Sequence, residues 1–314
     1  MVYALIFLVL ALLAIKGYCG KRISCFVECA GDSFLYNLVR MLICIFIGAA
    51  ALALDGAFCL PDIGMLLITL LGGAASVAFL AGWVLAVQHN SLVSVDVGLT
   101  LGSIIPAVLC AILFGEAIAP LKMLGFAMIV CATAVLAGKG ECKSEKRSAI
   151  GLILLLFTAL GDGISSFAQQ LYKQYYTEVG VKFVGVAYTK SVYHFYTYLF
   201  SALIFFLLIV SQRLFAARSV ADGAEVKKIR DKLSSRVLVH IFVMAVCLFV
   251  ANYLQTMATN DYAMPSQVLY PIIKGGCLVT VNLTAMLFFG ERITARSVIG
   301  SSVAIIGIVC MSVL

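Results

Sequence analysis

Ten long apolar runs follow one another along the 314 residues. They are Val2–Ile15, Ser33–Leu54, Gly64–Val87, Ser91–Phe114 and Leu121–Gly138, then Ala149–Tyr172, Phe183–Ile209, Val237–Thr256, Ala263–Phe289 and Ile293–Leu314. A helix needs about 20 mostly apolar residues to cross the hydrocarbon of a bilayer. Lipid offers no partner to a bare N–H or C=O, so such runs must be helices unless they alternate like barrel strands, and these do not. Composition agrees: 63% of the residues are hydrophobic and 12% charged, with a mean hydropathy of +1.10, whereas soluble domains carry about 25% charged residues. The first run lacks the basic start and small-residue cleavage site of a signal peptide and counts as a helix. The fold expected is an all-α membrane protein of ten transmembrane helices.

The chain is also written twice. "LFGEAIAPLKMLG" at Leu113–Gly125 returns as "FFGERITARSVIG" at Phe288–Gly300. With Glu116 placed on Glu291, 175 positions later, Phe114, Gly115, Ile118 and Gly125 fall on Phe289, Gly290, Ile293 and Gly300. Both phrases sit between two apolar runs. The halves expected are 1–138 and 149–314, joined by a polar linker at 139–148, with a basic loop at 211–236 inside the second. Five crossings per half is an odd number, so the second half enters from the opposite face, giving an inverted repeat. Glycine suits the end of a helix and a carboxylate suits the start of the next. Gly115, Glu116, Gly290 and Glu291 therefore read first as turn and capping residues.

"LFGEAIAPLKMLGFAMIVCATAVL" and "FFGERITARSVIGSSVAIIGIVCMSVL" resemble the closing segment of each repeat in EamA-like members of the drug/metabolite transporter superfamily, where an apolar helix, Gly-Glu-Arg-(Leu/Ile)-Thr and a Gly-bearing apolar helix follow one another. "NLVRMLICIFIGAAL" resembles the Arg-bearing second helix of such repeats. The second junction is the better match; the first departs from it at Ala117 and Pro120. The resemblance implies ten helices in two inverted halves and the transport of small metabolites, in a bacterial cytoplasmic membrane.

Lys and Arg collect on one side of the expected topology. The odd-numbered loops hold Lys16, Lys21, Arg22, Lys139, Lys143, Lys146, Arg147, Arg213, Arg218, Lys227, Lys228, Arg230, Lys232, Arg236, Arg292 and Arg296, 16 against three (Lys122, Lys173, Lys182) on the other side. Basic loops stay cytoplasmic, so this tally puts both termini outside, whereas the resemblance implies both inside. The net charge of +7 then reflects topology, with anionic membrane lipids as the partner. Nucleic acid is excluded, because the basic residues flank helices and form no aromatic-interleaved patch. The 11 cysteines show no metal or redox spacing and read as small apolar fillers.

Charges inside the bilayer must pair or face a wet cavity, since each costs roughly 2.5–3.5 kcal/mol at a helix centre. Asp96 in the fourth run and Lys274 in the ninth lie on matching faces under the repeat, with Pro271 one turn before Lys274. The sixth run carries Asp162, Ser166, Gln169 and Lys173, the seventh Lys190, His194, Tyr198 and Ser201, both at helical-face spacing. Asn252, Gln255 and Thr259 extend the polar surface in the eighth, Gln267 and Tyr270 in the ninth. Asp96, Lys274, Asp162, Gln169, Lys190, His194, Tyr270, Asn252 and Gln255 are thus candidates for a substrate or coupling-ion pathway. A buried structural ion pair is the competing reading for Asp96 and Lys274, and for Arg40 with Asp32. Trp83, the one tryptophan, reads equally as cavity wall or core.

The function these features favour is secondary active transport of a small polar or zwitterionic organic metabolite, such as an amino acid. Protons or another coupling ion are open as partners, as is simple exchange. No P-loop is present, no cofactor or metal is expected, and three histidines on separate elements do not make an enzyme. A lipid-headgroup flippase and a non-transporting scaffold or receptor are the alternatives.

Overall fold

A computed structural model of the chain describes residues 2–90, 92–114, 120–137, 149–177, 187–219, 233–262, 266–290 and 295–312. They form eleven α-helices: α1 (Val2–Ser24), α2 (Ala30–Asp55), α3 (Ile63–His89), α4 (Leu92–Thr100), α5 (Ile104–Phe114), α6 (Pro120–Ala137), α7 (Ala149–Tyr176), α8 (Lys190–Ser219), α9 (Ser235–Asn260), α10 (Ser266–Phe289) and α11 (Ala295–Ser312). A 3-10 turn, Leu101–Ser103, joins α4 to α5, so the two make one crossing. The break has a local cause. Pro106 has no N–H for the carbonyl of Gly102, and its ring crowds that carbonyl.

Eight helical segments among the described residues are long and apolar enough to cross a membrane. α6 and α11 supply two shorter apolar stretches, Pro120–Val135 and Val298–Cys310. At 1.5 Å per residue, the 27 residues of α3 reach about 40 Å, beyond a hydrocarbon layer of ~30 Å. The architecture is that of an all-helical, multi-pass membrane protein, with Phe46, Leu67, Phe206 and Phe242 among many large apolar residues left on the outer surface.

Three boundaries differ from the sequence reading. The first helix does not stop at Ile15: it runs to Ser24. Tyr18 packs on Phe288 and Phe289, Cys19 is buried and Gly20 seats Trp83, which outweighs the poor helix propensity of Gly17 and Gly20. The basic edge is Lys21–Arg22. Lys16 thereby leaves the basic loop for the helix. With Lys190 now at the start of α8 on the other side, the charge tally becomes 15 against four, without changing sign. α8 begins at Lys190 and continues to Ser219, so its last turns occupy part of the stretch read as loop 211–236. The linker 139–148 lies outside the described residues.

Small residues set the closest approaches. A Cβ on Gly161 would stand 2.5 Å from the Phe79 backbone nitrogen, and one on Gly163 2.6 Å from the Gly102 carbonyl oxygen. α7 is therefore pressed between α3 on one side and the broken fourth crossing on the other, with Asp162 held between the two glycines. α6 and α11 cross where a Cβ on Gly307 would meet the Gly125 carbonyl at 2.9 Å. The other contacts that organise the bundle are α1 on α9 and α10, α8 on α2 and α3, α2 on α9, and α10 on α4 and α11.

Caps secure the ends. Asp62 accepts from the Met65 N–H at 3.3 Å at the start of α3, and Gly56 closes α2 at φ 61. Gly290 follows α10 at φ 60, the left-handed geometry that suits a residue just past a helix. Its partners in the repeated turns, Gly115, Glu116 and Glu291, lie outside the described residues. The ten described cysteines are free thiols.

Candidate functional site

Seven crossings surround a central cavity of about 120 Å³, several times the ~10–15 Å³ one water needs. Its wall comes from α1, α3, α4, α7, α8, α9 and α10. Of the residues proposed from sequence, Asp96, Asp162, Gln169, His194, Asn252, Gln255, Tyr270, Lys274 and Trp83 line it. These positions are more than 150 residues apart in places, and the helical-face spacing of each stripe aims them at one point.

The charged centre differs from the sequence reading in its pairing. Lys274 Nζ donates to Asp162 Oδ2, across from α10 to α7, with side-chain exposures of 19% and 13%. Asp96, 9% exposed, instead accepts from the Cys277 thiol at 3.9 Å. The repeat placed Lys274 beside Asp96, but Gly161 and Gly163 bring α7 close enough for Asp162 to take the ammonium. Lys16 lines the same cavity and stands 5.4 Å from the centre of the Phe79 ring, a cation–π contact. The cavity thus holds two acids and two lysines, one of each sign engaged with the other.

On the side toward the N-terminus of α8, the wall is a hydrogen-bonded polar network. The Tyr270 hydroxyl donates to Gln169 Oε1 at 2.6 Å, and the Gln169 amide donates to Thr256 Oγ1. His194 Nε2 meets the same hydroxyl at 3.0 Å. Asn252 donates to the Tyr198 hydroxyl at 3.0 Å. His194 is only 3% exposed and packed among the rings of Tyr193, Tyr198, Phe249 and Tyr253. Its ring borders the cavity through an aromatic cage.

On the other side the wall turns apolar. Trp83, 8% exposed, both lines the cavity and joins a core cluster with Ile23, Leu92, Met244 and Val281, so the two readings of this residue are both met. A Cβ on Gly20 would lie 2.4 Å from its indole; the glycine is what lets the ring lie against α1.

Lys190 is placed elsewhere. It opens α8 and bonds Asp261 through both carboxylate oxygens at 2.6 Å, at the end of α9 and away from the cavity. The seventh run read from sequence began at Phe183, which put Lys190 a turn or two inside the membrane; the helix actually starts there. Two neighbouring contacts join it at this face: Ser191 donates to Asp55 at 2.5 Å and Tyr176 to Asp62 at 2.8 Å. Arg40, 4% exposed, donates to Asn37, while Asp32 accepts from the N–H groups of Glu28 and Cys29 at the start of α2.

Sequence reasoning missed Lys16, Ser76, Ser165, Thr197 and Cys277, all on the cavity wall. Lys16 carried a usable signal, since Lys21–Arg22 marks the membrane edge one and a half turns later. Ser76 and Ser165, 3.3 Å apart across α3 and α7, carried none, because a lone serine in an apolar run is ordinary.

No family model matches the chain, and no curated protein does. Among solved structures, 24 chains match. One crystal structure of a protein aligns with a TM-score of 0.53 over 95% of each chain at 14% identity, a likeness that shows a shared fold from end to end and nothing beyond it.

Proposed function

We propose that this protein is a secondary transporter of the drug/metabolite superfamily, carrying a small polar organic solute by alternating access. The observation that carries this reading is the central cavity itself. Intramembrane charges are retained where they serve a pathway or a ligand, and here Lys16, Asp96, Asp162 and Lys274 meet in one cavity from four separate crossings.

The packing pattern supports the inverted repeat on which alternating access would rest. Pairing each crossing with the one five later, α3 on α7 corresponds to α9 on α1, and α3 on α8 to α9 on α2. Likewise α1 on α10 corresponds to α7 on the α4–α5 crossing, while α2 with α8 and α6 with α11 correspond to themselves. Such repeats bind substrate near the midplane, where the halves meet, and rock about it. Two contact sets of different character lie toward opposite ends of α3, the polar contacts made by Lys190, Ser191 and Tyr176 near its start and the apolar cluster around Trp83 near its end. In this reading they are the two gates. A rocking motion would open one as it closes the other.

Uptake by the purified protein in proteoliposomes, tested against a panel of labelled amino acids, amines, organic acids and sugars, checks this reading. At least one solute should enter faster than into empty vesicles, and Lys274→Ala should abolish the difference. No uptake or exchange of any solute in either direction would favour a non-transporting scaffold.

A further inference from the structure

The four cavity charges are not equivalent. Lys274 and Asp162 satisfy each other. Lys16 and Asp96 do not: among the described residues Lys16 has the face of Phe79 and Asp96 has a thiol at 3.9 Å, and neither makes an ion pair. A charge removed from water and left without a counter-charge is costly. Lys16 and Asp96 feel the neighbouring charges of the cavity only through space, and a solute that carries both signs would give each a bonded partner at once.

Their placement in the chain adds a second observation. Lys16 stands on the first crossing and Asp96 on the fourth; Asp162 stands on the sixth and Lys274 on the ninth. Exchange the halves, crossing for crossing, and each pair falls on the other's two crossings with its signs reversed. One half thus closes its acid–lysine pair, while the matching pair of the other half stays open toward the cavity, beside Trp83, Leu92 and Leu99.

We infer that Lys16 and Asp96 form the two poles of a zwitterion subsite, Lys16 taking a carboxylate and Asp96 an ammonium group. The solute class is the amino acids and their close relatives. This rests on the transporter reading for its purpose but not for its test. Lys16 donates through Nζ–H to the carboxylate, Asp96 accepts N–H from the ammonium, and no bond forms or breaks.

Thermal unfolding of the purified full-length protein in detergent tests this without any transport step. The probes are the twenty standard amino acids, 4-aminobutyrate and taurine at millimolar concentration, followed, for each that binds, by its decarboxylated amine and its deaminated acid. At least one zwitterion should raise Tm, and neither single-charge analogue should. Lys16→Met and Asp96→Asn should each weaken that zwitterion at least ~10-fold, the loss expected for one charge-assisted hydrogen bond. Lys16→Met should lose discrimination against the amine, and Asp96→Asn against the acid. Lys16→Arg and Asp96→Glu, which keep the charges, should retain binding and guard against a folding defect in the first two. If none of the probes stabilises the protein, or the single-charge analogues do so equally well, the subsite is overturned. Binding without uptake would sink the transporter reading and leave the subsite standing. Uptake of a solute untouched by Lys16→Met and Asp96→Asn would do the reverse.

Discussion

The ion pair between Asp162 and Lys274 shows how a single carboxylate is made useful inside a membrane. Each partner is expensive alone and tolerable together, so removing one leaves the other stranded. Lys274→Met and Asp162→Asn should each destabilise the protein by about 3 kcal/mol, the scale for breaking a buried pair from one side. The double variant should recover most of that loss, as measured by thermal unfolding in detergent. Asp96→Asn combined with Lys274→Met should give no such recovery, because Asp96 is not the partner. Sequence reasoning set Lys274 against Asp96 and put Asp162 only on an inward-facing stripe, whereas the structure gives the lysine to Asp162. That choice turns on a few ångströms set by Gly161 and Gly163, which no polar pattern records.

At the scale of the helix, two kinds of glycine behave differently. Gly161 lies where α7 meets α3, with backbone atoms at 2.5 and 2.8 Å from its would-be Cβ. Backbone cannot step aside as a flexible side chain can, so Gly161→Ala should push the helices apart. The expected cost is about 2 kcal/mol, within the range for overpacking, together with a displaced Asp162 and lost uptake. Gly56 has open space around it, and its φ of 61° is the whole reason for glycine there. Gly56→Ala should cost about 1 kcal/mol of backbone strain and leave uptake unchanged. Comparing melting temperature and uptake for the two variants checks both statements. Helix existence was legible from the runs alone, and nine of the ten starting candidates line the cavity, some found by helical-face spacing, Asp96 and Lys274 as intramembrane charges, and Trp83 as the lone tryptophan. Helix ends were less legible: Lys16 looked like a loop residue because a lysine interrupts an apolar run, and Lys190 looked buried because Phe183 extends one. In both cases a charged residue near a helix end can sit on either side of the boundary, and only the neighbours across the bundle decide.

At the scale of the whole molecule, the doubled Gly-Glu phrase was the strongest sequence evidence for two halves, and the matched packing pairs are the contacts that the proposed repeat would require. The phrase itself said nothing about the cavity, whose wall is drawn from residues with no counterpart in the motif. Sequence patterning identified which helix faces are polar; it did not suggest the two proposed closures, because the apolar cluster around Trp83 reads as ordinary core. Alternation between those closures is the central claim. Cys277 offers a native reporter, since its thiol lines the cavity beside Asp96. In a variant whose other cysteines are replaced by serine or alanine, a small membrane-impermeant methanethiosulfonate reagent can be applied in turn to each face of sealed vesicles. The account predicts that Cys277 reacts from both faces, and more slowly from both once a transported solute is present. Reaction from one face only, or from neither, would contradict it.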